Sequence, residues 1–175
     1  DAQIEKINTL EFAGISYTVA TGGTITTDGD FKVHVFNSSG TFEVTTLGTD
    51  TSVTYLLVAG GAGGGGFAQA AGGGAGGYTT SSKAVTATSY SVVIGAGGTG
   101  GNNSNVPGAN GANSTWHSVT ATGGGGGASH SVGSGQNGGC GGGSTALRGT
   151  FGTGSQGGDG GGSGGYSGYY AGAGG

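Results

Sequence analysis

The chain has 175 residues, of which 50 are glycine, and its eight acidic and four basic residues give a formal net charge of −4 at pH 7. Four basic groups are too few to attract nucleic acid or anionic lipid, and no apolar run approaches the ~20 residues of a membrane-spanning helix, so we expect neither kind of partner. The single cysteine, Cys140, has no partner for a disulfide within the chain.

The glycines divide the chain at the end of the apolar run Val53–Ala59. Six of the 50 glycines precede residue 60, which leaves 44 for the rest of the chain. The charges are distributed the other way, because only Lys83, Arg148 and Asp159 follow Ala59. We therefore predict three parts, which are an N-terminal arm at 1–13, an antiparallel β part at 14–59 and a glycine-rich region at 60–175.

The arm at 1–13 mixes four charged residues with four large apolar ones. Their spacing fits a short helix and an irregular strand equally well. The glycine-rich region has few large side chains that could cover the apolar ones. We therefore expect the arm to dock on a neighbouring subunit, or on the particle that bears this domain, through strand addition. The predicted assembly contacts are Ile4, Ile7, Leu10 and Phe12.

The β part is predicted to consist of short antiparallel strands. A strand at 15–20 precedes the turn at Gly22 and Gly23, and Asp28-Gly29-Asp30 is a strong hairpin signal. A second turn at 37–40 separates the next two strands. Alternation along these two strands predicts an inward face made of Phe31, Val33, Val35, Phe42 and Val44.

Beyond residue 60, glycine tracts alternate with short β-like returns at 84–94 and 114–122. Glycine buries no side chain and loses the most backbone entropy on folding, so ordered tracts need neighbours that satisfy their backbone groups. Polyproline II helices can bond side by side where the facing positions lack a Cβ. We therefore predict a polyproline II bundle or sandwich with essentially no α-helix, which valine at Gly64 or Gly125 should unfold. A disordered low-complexity tail is the alternative.

Four stretches of the sequence carry a family resemblance: Lys32–Phe42, Val53–Gly66, Tyr90–Gly98 and Thr120–Gly125. Together they resemble the glycine-rich domain of phage tail and fibre proteins, over roughly residues 20–128. More distantly, the chain is similar to the tail-fibre tip adhesins of T-even-type phages. That resemblance implies a polyproline II sandwich with receptor-binding loops at one end. The arm lies outside the resemblance.

The motifs that might carry chemistry lack the context that they need. The glycines at 95–100 follow a strand, but a polar loop comes next and the next acid is Asp159, so no dinucleotide site is predicted. Cys140 has no neighbouring base to activate it. The three histidines, His34, His117 and His130, have no nearby ligand residues that would complete a zinc site. We therefore expect no enzyme, no cofactor and no metal.

Aromatic and polar side chains of the glycine-rich region lie between the tracts. Such groups are typical of a carbohydrate or protein contact surface, and packing at the tract ends is the alternative. We assign packing to Tyr78 and Trp116. Ligand contact is predicted for Tyr166, Tyr169, Tyr170, Asn102, Asn103 and Asn105. Three sequons would permit glycosylation in a secretory context, at Asn37, Asn102 and Asn113.

The sequence thus predicts a non-enzymatic structural or adhesive protein of a phage tail, fibre or similar extracellular particle. Its location would be extracellular or on a virion surface. Its partners would be copies of itself in a homo-oligomer or polymer, other particle proteins, and a cell-surface glycan or protein. A self-assembling extracellular filament subunit is the alternative. An ice-binding protein is a third hypothesis, against which the lack of a strict three-residue repeat argues.

Overall fold

The computed structural model of the chain describes Gly14 and residues 16–102, 105–145, 149–162 and 172–175. These residues are all-β, with nine strands and no helix. No helix within the described ranges is therefore available to cross a membrane. The arm at 1–13, with its four predicted assembly contacts, lies outside the described residues.

The strands are short, and several lie within the glycine-rich region. In chain order they are β1 (Val19–Thr21), β2 (Thr24–Asp28), β3 (Phe31–Val35), β4 (Gly40–Thr46), β5 (Ser52–Val58), β6 (Tyr78–Ala84), β7 (Ser89–Val93), β8 (Ser114–Trp116) and β9 (Val119–Ala121). The hairpin signal at Gly29 is confirmed, because Asp28 pairs with Phe31 across a two-residue loop in which Gly29 has a φ of 55°.

Three antiparallel sheets form from these strands. The largest has five strands in the order β1-β4-β7-β8-β9, and the pairs β2–β3 and β5–β6 form the other two. The large sheet joins strands from both sides of residue 60, since Gly40 of β4 lies opposite Val92 of β7. The β-like returns predicted in the glycine-rich region therefore complete a sheet that begins before it.

The apolar core lies where β5 packs against the five-stranded sheet. Trp116 is only 7% exposed there, and its ring lies 5.3 Å from that of Tyr55 and 6.1 Å from that of Phe42. The packing role assigned to Trp116 is therefore confirmed. The other buried members of the cluster are Val44, Leu57, Ala59, Val85, Val92 and Ala121.

The inward face predicted for β3 is wrong. Phe31 is 75% exposed and Val33 and Val35 are also exposed, whereas Phe42 and Val44 of β4 are buried as expected. The opposite face of the hairpin meets the body of the protein. The His34 ring lies 5.2 Å from the Phe42 ring, and His34 Nδ1 is hydrogen-bonded to the Gly22 carbonyl oxygen at 2.8 Å. Alternation was thus correct, but the face that meets the body of the protein is the one with His34 and not the one with Phe31 and Val33.

The glycine tracts run side by side as extended segments outside the named strands. We refer to them as the glycine segments, and they comprise residues 59–66, 71–77, 95–101, 106–112, 122–128, 133–138, 140–145, 149–154, 158–162 and 172–175. Residues 123–129 and 141–145 are buried, so these stretches lie inside the stack. The interior of the stack therefore consists mainly of backbone and not of large side chains.

Hydrogen bonds between the glycine segments recur at every third residue. Backbone N–H groups of Ala59, Ala62 and Gly65 donate to the carbonyl oxygens of Gly77, Gly74 and Ala71, at 2.9–3.0 Å. The residue that follows each of these donors bonds to a different segment. The N–H groups of Gly60, Gly63 and Gly66 donate to the carbonyl oxygens of Ala112, Ala109 and Val106. Segment 59–66 is thus antiparallel to both 71–77 and 106–112.

Side-chain amides supply acceptors for other backbone N–H groups of the segments. Asn110 Oδ1 accepts from the Gly126 N–H at 2.7 Å, and Asn113 Oδ1 accepts from the Gly123 N–H at 2.8 Å. Gln156 Oε1 accepts from the Thr122 N–H at 2.6 Å. Asn113, the residue of one sequon, therefore has a structural role in the stack.

The expectation that Gly64 and Gly125 both lack room for a Cβ is half right. A Cβ at Gly125 would overlap the backbone carbonyl oxygen of Gln136. A Cβ at Gly64 would lie 3.5 Å from the carbonyl oxygen of Ala71, which is ordinary van der Waals contact. Gly64 is therefore a matched control and not a second test of the same constraint.

We expect Gly125→Ala to lower the free energy of unfolding by about 2 kcal/mol or more, because the new methyl group forces two backbones apart. Gly64→Ala should change it by far less, since its methyl group makes only ordinary van der Waals contact with the neighbouring segment. Urea denaturation followed by tryptophan fluorescence measures both. Equal destabilisation by the two substitutions would contradict the packing described.

Candidate contact surface at the distal loops

The direction of each glycine segment decides where its loops lie. Segment 59–66 leads away from β5 and segment 71–77 returns to β6, so residues 67–70 lie at the end far from the sheets. Segment 95–101 runs parallel to 59–66, because Gly98 and Gly101 donate to the carbonyl oxygens of Gly61 and Gly64. Its continuation at residues 102 and 105 therefore lies at the same end.

Segment 122–128 has the same direction, since Gly124 and Gly127 donate to the carbonyl oxygens of Gly60 and Gly63. Its loop at 129–132 joins the other two at that end. We call the described residues of these connections the distal loops, comprising 67–70, 102, 105 and 129–132. Three connections that are far apart in sequence thus share one end of the molecule.

The distal loops contact one another through loop 129–132. Asn105 Oδ1 accepts a hydrogen bond from the Ser131 N–H at 2.9 Å, and Ser131 Oγ donates to the Asn105 carbonyl oxygen at 3.4 Å. On the other side, the Phe67 ring meets the His130 ring edge-on at 6.4 Å. Loop 129–132 therefore contacts both of the other distal loops.

The surface of the distal loops combines apolar side chains with neutral polar ones. None of its described residues has a carboxylate or ammonium group. Phe67 is 57% exposed and Val132 is 47% exposed, and Asn102 is also exposed. Rings, amides and hydroxyls can recognise a ligand through stacking and neutral hydrogen bonds.

The predicted contact residues are divided between described and undescribed parts of the chain. Asn102 and Asn105 lie in the distal loops. Asn103, Tyr166, Tyr169 and Tyr170 lie outside the described residues. The described chain on either side of the three tyrosines converges on Ser144, whose N–H donates to the Gly161 carbonyl oxygen and whose carbonyl oxygen accepts from Gly172.

Sequence reasoning did not assign ligand contact to Phe67, His130 or Val132, which lie in these loops. Phe67 has a φ of 72° and Gln69 has a φ of 64°. Left-handed backbone of this kind is usually predicted at glycine, so the sequence gave no signal for it at these two residues. The packing role assigned to Tyr78 is wrong, because its side chain on β6 is 60% exposed.

Comparisons with known proteins place most of the chain within one family model. A model described as a glycine-rich domain matches residues 37–175. The match begins in the turn before β4 and includes all of the glycine segments. Neither the curated proteins nor the solved structures gave a match.

Two substitutions at Asn105 separate its backbone role from its side-chain role. Asn105 has a φ of 64°, which glycine adopts freely and alanine does not. We expect Asn105→Gly to keep the loop shape while losing the acceptor for Ser131, so the Ser131 amide exchanges faster with solvent. Asn105→Ala should also destabilise the protein by about 1 kcal/mol through the strained backbone.

Hydrogen-exchange NMR and urea denaturation measure these two effects. The Gly65 amide, which donates to Ala71, is the internal control and should keep its protection in both variants. Unchanged exchange of Ser131 in both variants would contradict the described loop contact.

Proposed function

The chain belongs to the glycine-rich domain family, and from that premise we propose that it is a non-enzymatic structural or adhesive protein of a phage tail, fibre or similar extracellular particle. Its distal loops would contact a host surface, either a cell-surface glycan or a protein. The observation that carries this proposal is the gathering of three loops at one end of a stack whose own backbone groups bond internally.

We further propose that the glycine segments are polyproline II helices packed as a sandwich. Polyproline II has three residues per turn, which matches the spacing of the hydrogen bonds between segments. A β-strand directs its peptide groups to two neighbours. Segment 59–66 bonds to more than two, namely 71–77, 95–101, 106–112 and 122–128.

Such a stack suits a contact protein because its faces have few side chains with which to discriminate a ligand. Specificity then depends on the loops, which can vary while the stack stays constant. The distal loops have rings and amides at the end opposite the sheets, and their mutual contacts hold these groups in place. This arrangement supports an adhesive tip on a rigid support.

The adhesive proposal is tested by binding of fluorescently labelled protein to a panel of bacterial cells. Alanine at the predicted contacts should abolish binding, because these side chains supply the recognition groups: Asn102, Asn103, Asn105, Tyr166, Tyr169 and Tyr170. The matched control carries alanine at Phe31, Val33 and Val35, which are exposed on the β2–β3 hairpin. Binding that survives the first set, or that both sets remove equally, would overturn the proposal.

A second candidate function is a self-assembling filament subunit. Exposed apolar side chains favour it, because Phe31, Val33 and Val35 share one face of the β2–β3 hairpin, and Leu56, Val58 and Tyr78 share one face of the β5–β6 pair. Two-stranded sheets with an uncovered apolar face are marginal alone and are stabilised by a partner. Copies of this chain would supply such a partner.

Deletion of residues 1–13 tests the arm in either role. If the arm docks on a neighbouring subunit, the truncated protein should have a smaller mass in solution than the full chain, because the intersubunit contact is lost. Light scattering after gel filtration measures the mass. A truncated protein that assembles like the full chain would show that the arm is not the assembly contact.

A further inference from the structure

One side of β5 has no neighbouring strand among the residues that the structure describes, because β5 pairs with β6 alone in a two-stranded sheet. The bonds just beyond the two ends of β5 show which residues turn away from β6. The Val85 N–H donates to the Thr51 carbonyl oxygen, and the Ala59 N–H donates to the Gly77 carbonyl oxygen. Odd-numbered residues of β5 therefore bond to β6, and even-numbered ones direct their peptide groups to the other side.

The uncovered side of β5 begins after Ser52, whose N–H already donates to Asp50 Oδ1 at 2.9 Å. The peptide groups of the next three outward-directed residues have no strand to bond within the described ranges, and we call them the open edge: Thr54, Leu56 and Val58. The Leu56 and Val58 side chains are also more than half exposed. An unpaired edge with apolar side chains is a surface that pairs readily with another strand.

The open edge is turned towards the side of the molecule where the described chain begins. Across the core, β6 lies against β9, and β5 lies against both β9 and β8. In the five-stranded sheet, β8 is followed by β7, β4 and β1. The step from β6 to β5 therefore leads towards β1, and the open edge faces the same way.

The chain ahead of β1 enters the described structure beside the start of β5. The Thr49 N–H donates to the Ser16 carbonyl oxygen at 2.9 Å, and Thr18 Oγ1 donates to the Asp50 carbonyl oxygen at 2.8 Å. Strand β5 begins at Ser52, directly after these acceptors. The arm at 1–13 is joined to Ser16 through residues 14 and 15, so it is tethered next to the open edge.

The arm has the length and the side-chain pattern of a strand that fits this edge. Its 13 residues exceed the seven of β5, and paired strands advance at the same rate of about 3.4 Å per residue. Polar and apolar side chains alternate from Thr9 to Phe12, as in a strand with one covered face. The arm contains no proline, so each of its residues has an N–H group for a ladder.

We propose that the arm of each chain pairs as an antiparallel strand with the open edge of its own β5. An arm that leaves Ser16 and follows β5 towards Val58 runs opposite to β5 and extends the pair to three strands. Its backbone bonds the peptide groups of the open edge, while Leu10 and Phe12 gain apolar neighbours on β5. A three-stranded sheet is stable where a two-stranded one is marginal.

This placement differs from the neighbouring subunit that the sequence led us to expect. That expectation came from the lack of large side chains in the glycine-rich region, whereas β5 precedes that region and lies beside the entry point of its own chain. A tether of two residues gives the arm a far higher effective concentration at this edge than the arm of another copy has. The pairing goes beyond the adhesive function and does not depend on it.

Hydrogen exchange followed by NMR tests the pairing in the full chain and in a chain that lacks residues 1–13. The amides of Thr54, Leu56 and Val58 should exchange at least about tenfold faster in the truncated chain, because they lose their acceptors. The amides of Tyr55 and Leu57, which face β6, are the internal controls and should keep their protection.

Paired substitutions test the arm without removing it. Leu10→Ser combined with Phe12→Ser removes the apolar face, so exchange at the open edge should approach that of the truncated chain. Thr9→Ser combined with Glu11→Gln is the matched control on the other face. It should leave the exchange rates within about twofold of the wild type, since it keeps the backbone pairing and the apolar face.

Dilution distinguishes the arm of the same chain from the arm of another copy. Exchange at about 10 µM and at about 500 µM should be equal, because pairing within one chain does not depend on concentration. Light scattering should show that deletion of the arm does not lower the number of subunits in the particle. Freed edges can pair with each other, so any change should be an increase.

Three results would contradict the pairing. Fast exchange at the open edge of the full chain would show that no strand covers it. Protection that persists without residues 1–13 would show that another part of the chain covers it. Protection that falls on dilution, together with fewer subunits after deletion, would assign the edge to the arm of a second copy.

Discussion

This structure depends on hydrogen bonding between backbone segments that have almost no side chains. A glycine segment contributes almost no apolar burial, and each of its residues loses more conformational entropy than any other residue type. Its peptide groups can enter the interior only if neighbouring segments satisfy them. The regular pairing of the segments meets that requirement, and it also explains why a Cβ at Gly125 would meet a carbonyl oxygen.

The paired strands fix the register in which the glycine segments lie side by side. A glycine segment has no side-chain pattern that could fix how far it slides along its neighbour. Segments 59–66 and 71–77 continue directly from the paired strands β5 and β6, in which Val58 lies opposite Tyr78. The first bond between the two segments, from the Ala59 N–H to the Gly77 carbonyl oxygen, extends the same pairing. The apolar core around Trp116 therefore sets the alignment of a region that has no core of its own.

Much of this fold was predictable, because strand alternation and turn residues act locally. The hairpin at Gly29, the turn before Gly40 and the long strand at Val53 all follow from such signals. The inverted face of β3 was not predictable from alternation alone, since the pattern says which residues share a face and not which face has a partner. Gly64 and Gly125 have identical side chains, so only the positions of neighbouring segments distinguish them.

The candidate surfaces show the same division. Asn102 and Asn105 could be found as polar residues between glycine tracts, but their proximity to loop 129–132 depends on the directions of segments far apart in sequence. His117 gave no signal because its sequence neighbours suggested no site, and its left-handed backbone and its ring contact with Tyr90 are visible only in the structure.

The orientation of the bonds between segments also determines how the stack responds to force. The donors and acceptors of segment 59–66 lie across the direction in which the segments run, and several neighbours share them. A pull between the sheet end and the loop end therefore loads these bonds in shear, so that many must break together before one segment slides past another. A pull across the stack would instead separate the outer segments bond by bond. The molecule is therefore mechanically anisotropic, with its stiff axis directed from the sheets towards the loops.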